Sequence, residues 1–496
     1  MNDQQLTTLF AESDLSGQPD LPPDYLPGLL TKARRSARQR RFVTMLVAAA
    51  AVLVVLGLTV VIRPHATGLP PAGRTPGTPT IPDRIAPYSR LTSDVSASPP
   101  GRALMIYEYG NGELFNEWQS LALSADGDVY RQLGAVADGR QWLLSPDGRT
   151  VILAESRRAT SALTLLDLTT AKVREVPLPG PMGVVLLAVS ADGRKVAYST
   201  APLPDDMSAG NSIEFQNAQL GKLSIVDLST GEIMAVPDFQ PVVAAAFAPD
   251  GQRLAFQAKR KIWIMTLGGR LETPVDVPEG WGMAPQNAWS VDGTRLATTQ
   301  WRTELGQTRD DTTLSVYVVD SWYGYGVVDL ATGRHRKINA DTDTFLGWRD
   351  RDHTIVFTPS GADNGGDEIA EVTLDSGTRT SLARFDAGKS CELGTQTCQT
   401  YRLTVAAGLL PDLTARPAGT PHRGPWPTWA WLVVGIPLLL VALIIAFAVP
   451  RIRRARRRRA QAPPTQLPPT QFPSTQQPPT QLPPTPEPPT PHPSAE

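Results

Sequence analysis

Ser145-Pro146-Asp147-Gly148 lies between apolar runs and is followed directly by Val151-Ile152-Leu153-Ala154. The pattern returns as Ser190-Ala191-Asp192-Gly193, Ala248-Pro249-Asp250-Gly251 and Ser290-Val291-Asp292-Gly293, with an earlier copy at Ser124-Ala125-Asp126-Gly127. Asp-Gly supplies the positive φ that a hairpin turn needs, and the leading serine can hydrogen-bond the turn backbone. Each copy therefore reads as strand, tight turn, strand. A second marker follows several copies: Ile225-Val226-Asp227-Leu228-Ser229-Thr230-Gly231 and Val327-Val328-Asp329-Leu330-Ala331-Thr332-Gly333, with worn versions at Asp375-Ser376-Gly377 and Leu267-Gly268-Gly269. Two hairpins per repeat make a four-stranded sheet, and an array of such sheets is the signature of a β-propeller.

Ala248-Pro249-Asp250-Gly251-Gln252-Arg253-Leu254-Ala255-Phe256 resembles the repeat of TolB-like, or WD40-like, bacterial β-propellers. The resemblance runs over roughly residues 101 to 410 and implies a fold rather than an activity, because such folds host many functions. The expected class is all-β, with about six four-stranded blades and seven as the next count. Three strands, Ala103 to Tyr109, Ser120 to Leu123 and Val129 to Leu133, form an incomplete first blade. Five more blades are placed near 141–178, 186–238, 243–276, 285–339 and 344–385. The leftover Tyr401-Arg402-Leu403-Thr404-Val405 would complete blade one and close the ring, which removes exposed sheet edges. Both ends of the domain would then leave from one blade.

The charge is segregated around two apolar runs, although the formal net charge is only -1. Lys32, Arg34, Arg35, Arg38, Arg40 and Arg41 precede a charge-free run from Phe42 to Ile62, long enough to cross a bilayer. Trp426, Trp429 and Trp431 precede a second run from Leu432 to Val449, which Arg451, Arg453, Arg454 and Arg456 to Arg459 follow. Tryptophan favours the membrane interface and basic clusters favour the cytoplasm. The expected layout is a cytoplasmic segment 1–41, a span 42–62, a Pro/Gly/Thr-rich solvated spacer 63–100, the propeller 101–413, a linker 414–425, a span 426–449 and a cytoplasmic tail 450–496. The localisation is the plasma membrane, with both termini cytoplasmic and the propeller outside. Against a hydrophobic span, the N-terminal basic run is a topology signal and not a nucleic-acid site. The tail repeats Pro-Pro-Thr-Gln every five residues, a polyproline II composition without a packed core.

The acidic tail, Arg-rich patch and single span also resemble actinobacterial membrane proteins related to anti-sigma factors. That resemblance implies a signalling route to the cytoplasm. Residues 1–41 contain no Cys or His, so the zinc motif of some of those regulators is absent.

The search for chemistry is nearly empty. There is no Gly-x-Ser-x-Gly elbow, no His-Glu-x-x-His and no phosphate-binding glycine loop. Of five histidines, His65, His422 and His492 fall in linker or tail, leaving His335 beside a hairpin turn and His353 at a strand start. Both read as surface residues. Asp310-Asp311 is an unspecific acidic pair. Cys391 and Cys398, the only cysteines, enclose a short polar loop and read as a disulfide pinning the connection into the closing strand. Blades three and five are long, with extra residues near Leu203 to Phe215 and Trp301 to Leu314. Trp322, Tyr323 and Tyr325 follow the second insertion and offer a binding loop, the alternative being that they pack between blades. The expectation is a membrane-bound binding module without catalytic residues, metal or cofactor. Its partners are the bilayer and a protein, either an envelope component or a cytoplasmic regulator. The alternatives are a structural envelope scaffold and a propeller lyase or hydrolase.

Overall fold

The computed structural model describes residues 77–110 apart from 88, then 119–203, 212–236, 239–301, 322–338, 344–359, 367–386 and 399–460. The first predicted span, both cysteines, Asp310-Asp311 and the proline-rich tail lie outside the described residues. The chain divides into two compact units, Val54–Val434, and Met1–Leu53 with Gly435–Glu496.

The first unit is built from antiparallel meanders in a propeller-like arrangement. Three sheets have four strands each, one has five, one has seven, and a two-stranded ribbon stands beside them. The seven-stranded sheet is two meanders sharing Val173–Val189, whose first half pairs with Thr160–Asp167 and whose second half pairs with Lys195–Ala201. With that sheet divided, the strands fall into six consecutive meanders. The first holds Ala103–Gly110, Gln119–Ser124 and Tyr130–Gln132. Its remaining strand, the first in sheet order, is Gln399–Val405, antiparallel to Ala103–Gly110 with Thr404 opposite Ile106. The second begins at Arg140–Leu144 and the third with the latter half of Val173–Val189. The fourth, fifth and sixth begin at Val242–Phe247, Trp281–Met283 and Thr344–Trp348.

Four apolar clusters stitch these meanders in cyclic order. One joins the sixth, first and second through Phe357, Phe385, Met105, Leu123, Trp142 and Leu153. The second and third meet at Ile152 and Tyr198, the third and fourth at Ile225 and Phe256. The fourth, fifth and sixth share Ile264, Trp289 and Phe345. Two buried tryptophans also bond across the seams. Trp289 Nε1 donates to Ala246 O and Trp348 Nε1 to Ala288 O, both at 2.9 Å. A buried indole that finds its acceptor adds apolar area without stranding a polar group.

The recurring tetrapeptide forms the turns its composition implies. Gly148 N donates to Ser145 O at 2.8 Å, and Ser145 Oγ accepts from Thr150 N at 2.9 Å while donating to Asp147 Oδ1 at 2.6 Å. Gly148, Gly193, Gly251 and Gly293 all have φ between +66° and +73°. At Ala248, where the hydroxyl is missing, Asp250 instead accepts from Gln252 N at 2.8 Å and Arg253 N at 3.2 Å. Gly127, in the earliest copy, does not use the left-handed region.

The second marker is an Asp-capped turn. Asp227 Oδ1 accepts from the Ser229 hydroxyl at 2.5 Å and from Ser229 N at 2.8 Å. These bonds hold the Asp227 carboxyl well below the ordinary carboxylate range, and the hydroxyl and N–H of Thr332 lower that of Asp329. A depressed folded-state value contributes stability that is present above the ordinary value, ~4, and is lost as pH falls through the depressed one. Ser229→Ala should therefore raise the Asp227 titration toward the ordinary range and flatten the acid dependence of stability. Carboxyl NMR titration checks this, and an unmoved Asp227 would refute the hydrogen-bond account.

Two stretches read as spacer and linker are part of the fold. From Gly77 onward, the segment read as a spacer buries Ile81, Ile85 and Val95 at 1 %, 0 % and 1 % exposure. Thr80–Pro82 pairs in parallel with Thr414–Arg416, inside the segment read as a linker, and Arg84–Ile85 pairs with Arg379–Phe385. The apolar residues of this strap stand singly among prolines and polar residues, so no period in the sequence reveals them.

In the second unit the described residues are helical and belong to Thr428–Ala460, a helix that runs through Pro437 and Pro450. Its window Thr428–Arg451 has a mean hydropathy of 3.1 and is long and apolar enough to cross a membrane. Among the described residues it is the one helix with these properties.

Candidate binding face

The two edges of the meander array differ. On one edge, the Ser-x-Asp-Gly type of turn joins first to second strands in the second to fifth meanders and third to fourth in the first, and the Asp-capped turn joins third to fourth in the second, third and fifth. On the other edge lie the connections from second to third strands. They span residues 111–118, 202–221, 302–321 and 359–367 in the first, third, fifth and sixth meanders, against 156–159 and 259–260 in the second and fourth. The two longest of these, 202–221 and 302–321, both join strand ends on that edge.

The insertion of the third meander is anchored. Its described part carries the helix Ile213–Leu220, in which Ile213 is fully buried. The Asn217 amide donates to Ile213 O at 2.9 Å and Gly183 O at 3.3 Å, tying the helix to the sheet. Gly221 ends this helix where an added Cβ would strike Ser199 Oγ and Asn217 O.

The tight-turn edge is partly covered. After the closing strand the chain continues through Ala407–Leu409, burying Leu410 and Leu413 at 1 % and 2 % exposure. Gly408 N donates to Pro146 O of the second meander at 3.0 Å, and Leu413 O accepts from Arg349 of the sixth at 3.0 Å. Loop-edge charges are mixed. Arg140 pairs with Glu155 at 2.8 Å, and Glu368 lies 3.1 Å from Arg379. Burial pushes the Glu108 carboxyl above its ordinary range, with Arg402 opposing. Arg402, at φ +46°, is the extra residue of a bulge in the closing strand.

The sequence-predicted residues fare unequally. Tyr325 is not on a loop: it lies in Trp322–Asp329, is 0 % exposed, and its hydroxyl is 2.9 Å from Thr354 Oγ1 in the next meander. Its alternation inside a strand places it in the core, which corrects its reading as a contact residue. The side chains of Trp322 and Tyr323 lie outside the described residues. His335 packs its ring 4.6 Å from that of Trp281, with Nε2 2.9 Å from Thr298 Oγ1, and burial lowers its pKa. His353 pairs with Asp350 at 2.9 Å. Among the described residues no cluster of His, Cys, Asp or Glu could hold a metal ion.

The arrangement that sequence reasoning missed is a clasp at the outer strand of the first meander. Arg131 is 2 % exposed. It donates to Ser98 O at 2.6 Å, Tyr130 O at 2.7 Å, His422 O at 2.8 Å and Ser98 Oγ at 3.0 Å. Burial lowers its pKa to about 10, which leaves it charged at neutral pH. Arg416 bonds Asp128 at 2.9 Å, and Arg423 bonds Thr92 Oγ1 at 3.0 Å and Pro87 O at 2.6 Å. His422, expected in an unstructured linker, donates its N–H to Asp128 O at 2.7 Å and places Nδ1 3.2 Å from Arg131. One buried guanidinium thus holds the strap and the C-terminal segment together. The only sequence signal was the run of arginines in segments otherwise read as linker.

No family model and no curated protein matches the chain. Among solved structures it is similar to TolB from Acinetobacter baumannii, at 14 % identity and a TM-score of 0.41, covering 62 % of this chain and 67 % of that one. It is also similar to a putative TolB from Agrobacterium tumefaciens, at 13 % identity and a TM-score of 0.37, covering 62 % and 99 %. An oligogalacturonate lyase in complex with manganese matches at 15 % identity and a TM-score of 0.37, covering 63 % and 80 %. Likenesses this distant carry no argument about activity, and the propeller reading rests on strand pairing and on the cyclic core.

Proposed function

We propose that the chain is a membrane-anchored binding module, a six-bladed ring closed by Gln399–Val405 whose long-loop edge recognises a protein partner. The observation that carries the reading is the asymmetry between the edges. The strands that flank the two longest connections, 202–221 and 302–321, end on one side, and the other carries the Ser-x-Asp-Gly turns and is crossed by Ala407–Leu413. Binding residues concentrate on loops held by a rigid scaffold. Anchoring is supported by the apolar helix, by Trp426, Trp429 and Trp431 at 45–47 % exposure before and within its first turn, and by the arginines after it. With Phe42 to Ile62 as a second span, the ring sits outside the cytoplasm and Cys391 and Cys398 meet an oxidising environment that favours their pairing. The clasp favours a second reading, a sensor, because it ties the segment leading into the helix to the ring.

The test is site-specific photocrosslinking in intact cells that make the full chain natively. A photoreactive residue at Arg260, on the long-loop edge, should capture one defined envelope protein, and one at Ser229, on the turn edge, should not. Capture from Ser229 alone would overturn the assignment of the face.

A further inference from the structure

We propose that the cavity between the strap, the outer strands of the first meander and the entry to the C-terminal helix binds the headgroup of an anionic phospholipid bearing free hydroxyls. The chemical class is a phosphodiester to glycerol or inositol. The cavity measures about 290 Å³ and is lined by Arg90, Gln119, Gln132 and Trp429. Roughly ten waters would fill such a volume in the liquid, so a phosphate with a small polyol fits and an acyl chain stays outside.

Two of the lining residues match parts of that ligand. Gln119 is 9 % exposed and its Oε1, buried, meets no donor among the described residues. A buried acceptor without a donor is costly, and a ligand hydroxyl removes the deficit. Gln132 is held in place at the cavity wall by its Nε2, which donates to Thr92 O at 2.9 Å. Arg90 brings a guanidinium, whose planar fork suits phosphate oxygens. Among the described lining residues Arg90 is the one charged group. Trp429 stands in the first turn of the apolar helix, 47 % exposed, and the rings of Trp426 and Trp431 lie 5.4 Å apart at a tilt of 37°. Tryptophans at a helix entry mark headgroup depth. The lipid source rests on the reading of this helix as a span; the phosphate and hydroxyl recognition does not.

The experiment is native mass spectrometry of the full chain released from nanodiscs, with protease protection run first to establish insertion independently. Wild type should retain one phosphatidylglycerol in preference to phosphatidylmethanol, an anionic phosphodiester without a free hydroxyl. Arg90→Gln and Gln119→Leu should each lower retention about tenfold, equivalent to ~1.4 kcal/mol, as should the nearly isosteric Gln119→Glu, each read on the folded fraction. Equal retention by wild type and all three variants overturns the site, as does equal retention of phosphatidylmethanol. Glycerol 3-phosphate alone binding with the same variant sensitivity, while phosphatidylglycerol does not, supports the recognition chemistry and overturns the lipid source. Failure of protease protection overturns the span, and glycerol 3-phosphate then tests the cavity by itself.

Discussion

Gly148→Ala is expected to destabilise the propeller unit by about 3 kcal/mol or more, against about 1 kcal/mol for Gly251→Ala, although the two glycines close the same turn. Both sit in the left-handed region, at φ +73° and +66°, so both substitutions pay the steric cost of a Cβ there. The difference lies in what surrounds them. Gly251 faces open space, whereas a Cβ on Gly148 would fall inside the backbone carbonyl oxygen of Ala103. That contact is part of the seam between the first two meanders, where Ala103 N donates to Gly148 O at 2.6 Å. Backbone on both sides leaves no flexible atom to yield. Denaturant midpoints of the full-length chain in detergent would measure it. Equal shifts for the two variants would show that the first seam gives way under strain.

Arg131→Met is the second large effect, expected to cost about 3–5 kcal/mol and to release both straps together. The methionine fills much of the volume but leaves Ser98 O and His422 O without their donor. Lysine does not restore the clasp, because one ammonium cannot reproduce a fork whose bonds run to Ser98 on one side and His422 on the other. Hydrogen exchange should quicken at residues 92–98 and 414–424 while Ile225 and Phe256, in another part of the core, remain protected. Uniform loss of protection would mean that the clasp belongs to the global folding unit and is not a separable latch. For a sensor that distinction matters, since a latch of its own stability can open without unfolding the ring.

Much of the fold was legible because its signals are local. A hairpin turn needs Asp-Gly within four residues, and a strand needs an apolar run beside it, so the repeats could be counted along the chain. Closure followed from arithmetic: the first repeat lacked one strand and Tyr401 to Val405 was left over, and Gln399–Val405 takes that place. The apolar helix is equally local, since composition alone makes it insoluble in water as an isolated helix. What the sequence by itself determined was therefore the repeat, the antiparallel pairing inside each meander, the strand that closes the array and one apolar helix.

The tertiary structure decided which equivalent residues are equivalent no longer. Gly148 and Gly251 share a motif, and only the neighbouring meander separates them. Tyr325 looked like part of an aromatic loop until its strand turned it toward Thr354 of the sixth meander. The strap and the C-terminal segment carry single apolar residues and arginines without period, and their partners stand far away in the chain: Arg131 and His422 are 291 residues apart. The longest connections were visible as insertion lengths, but the shared edge at which their strands end is a property of the alternation between strands. A local turn is set by the backbone preferences of a few adjacent residues. A clasp or a seam is set by desolvation and close packing between segments that only the completed ring brings together.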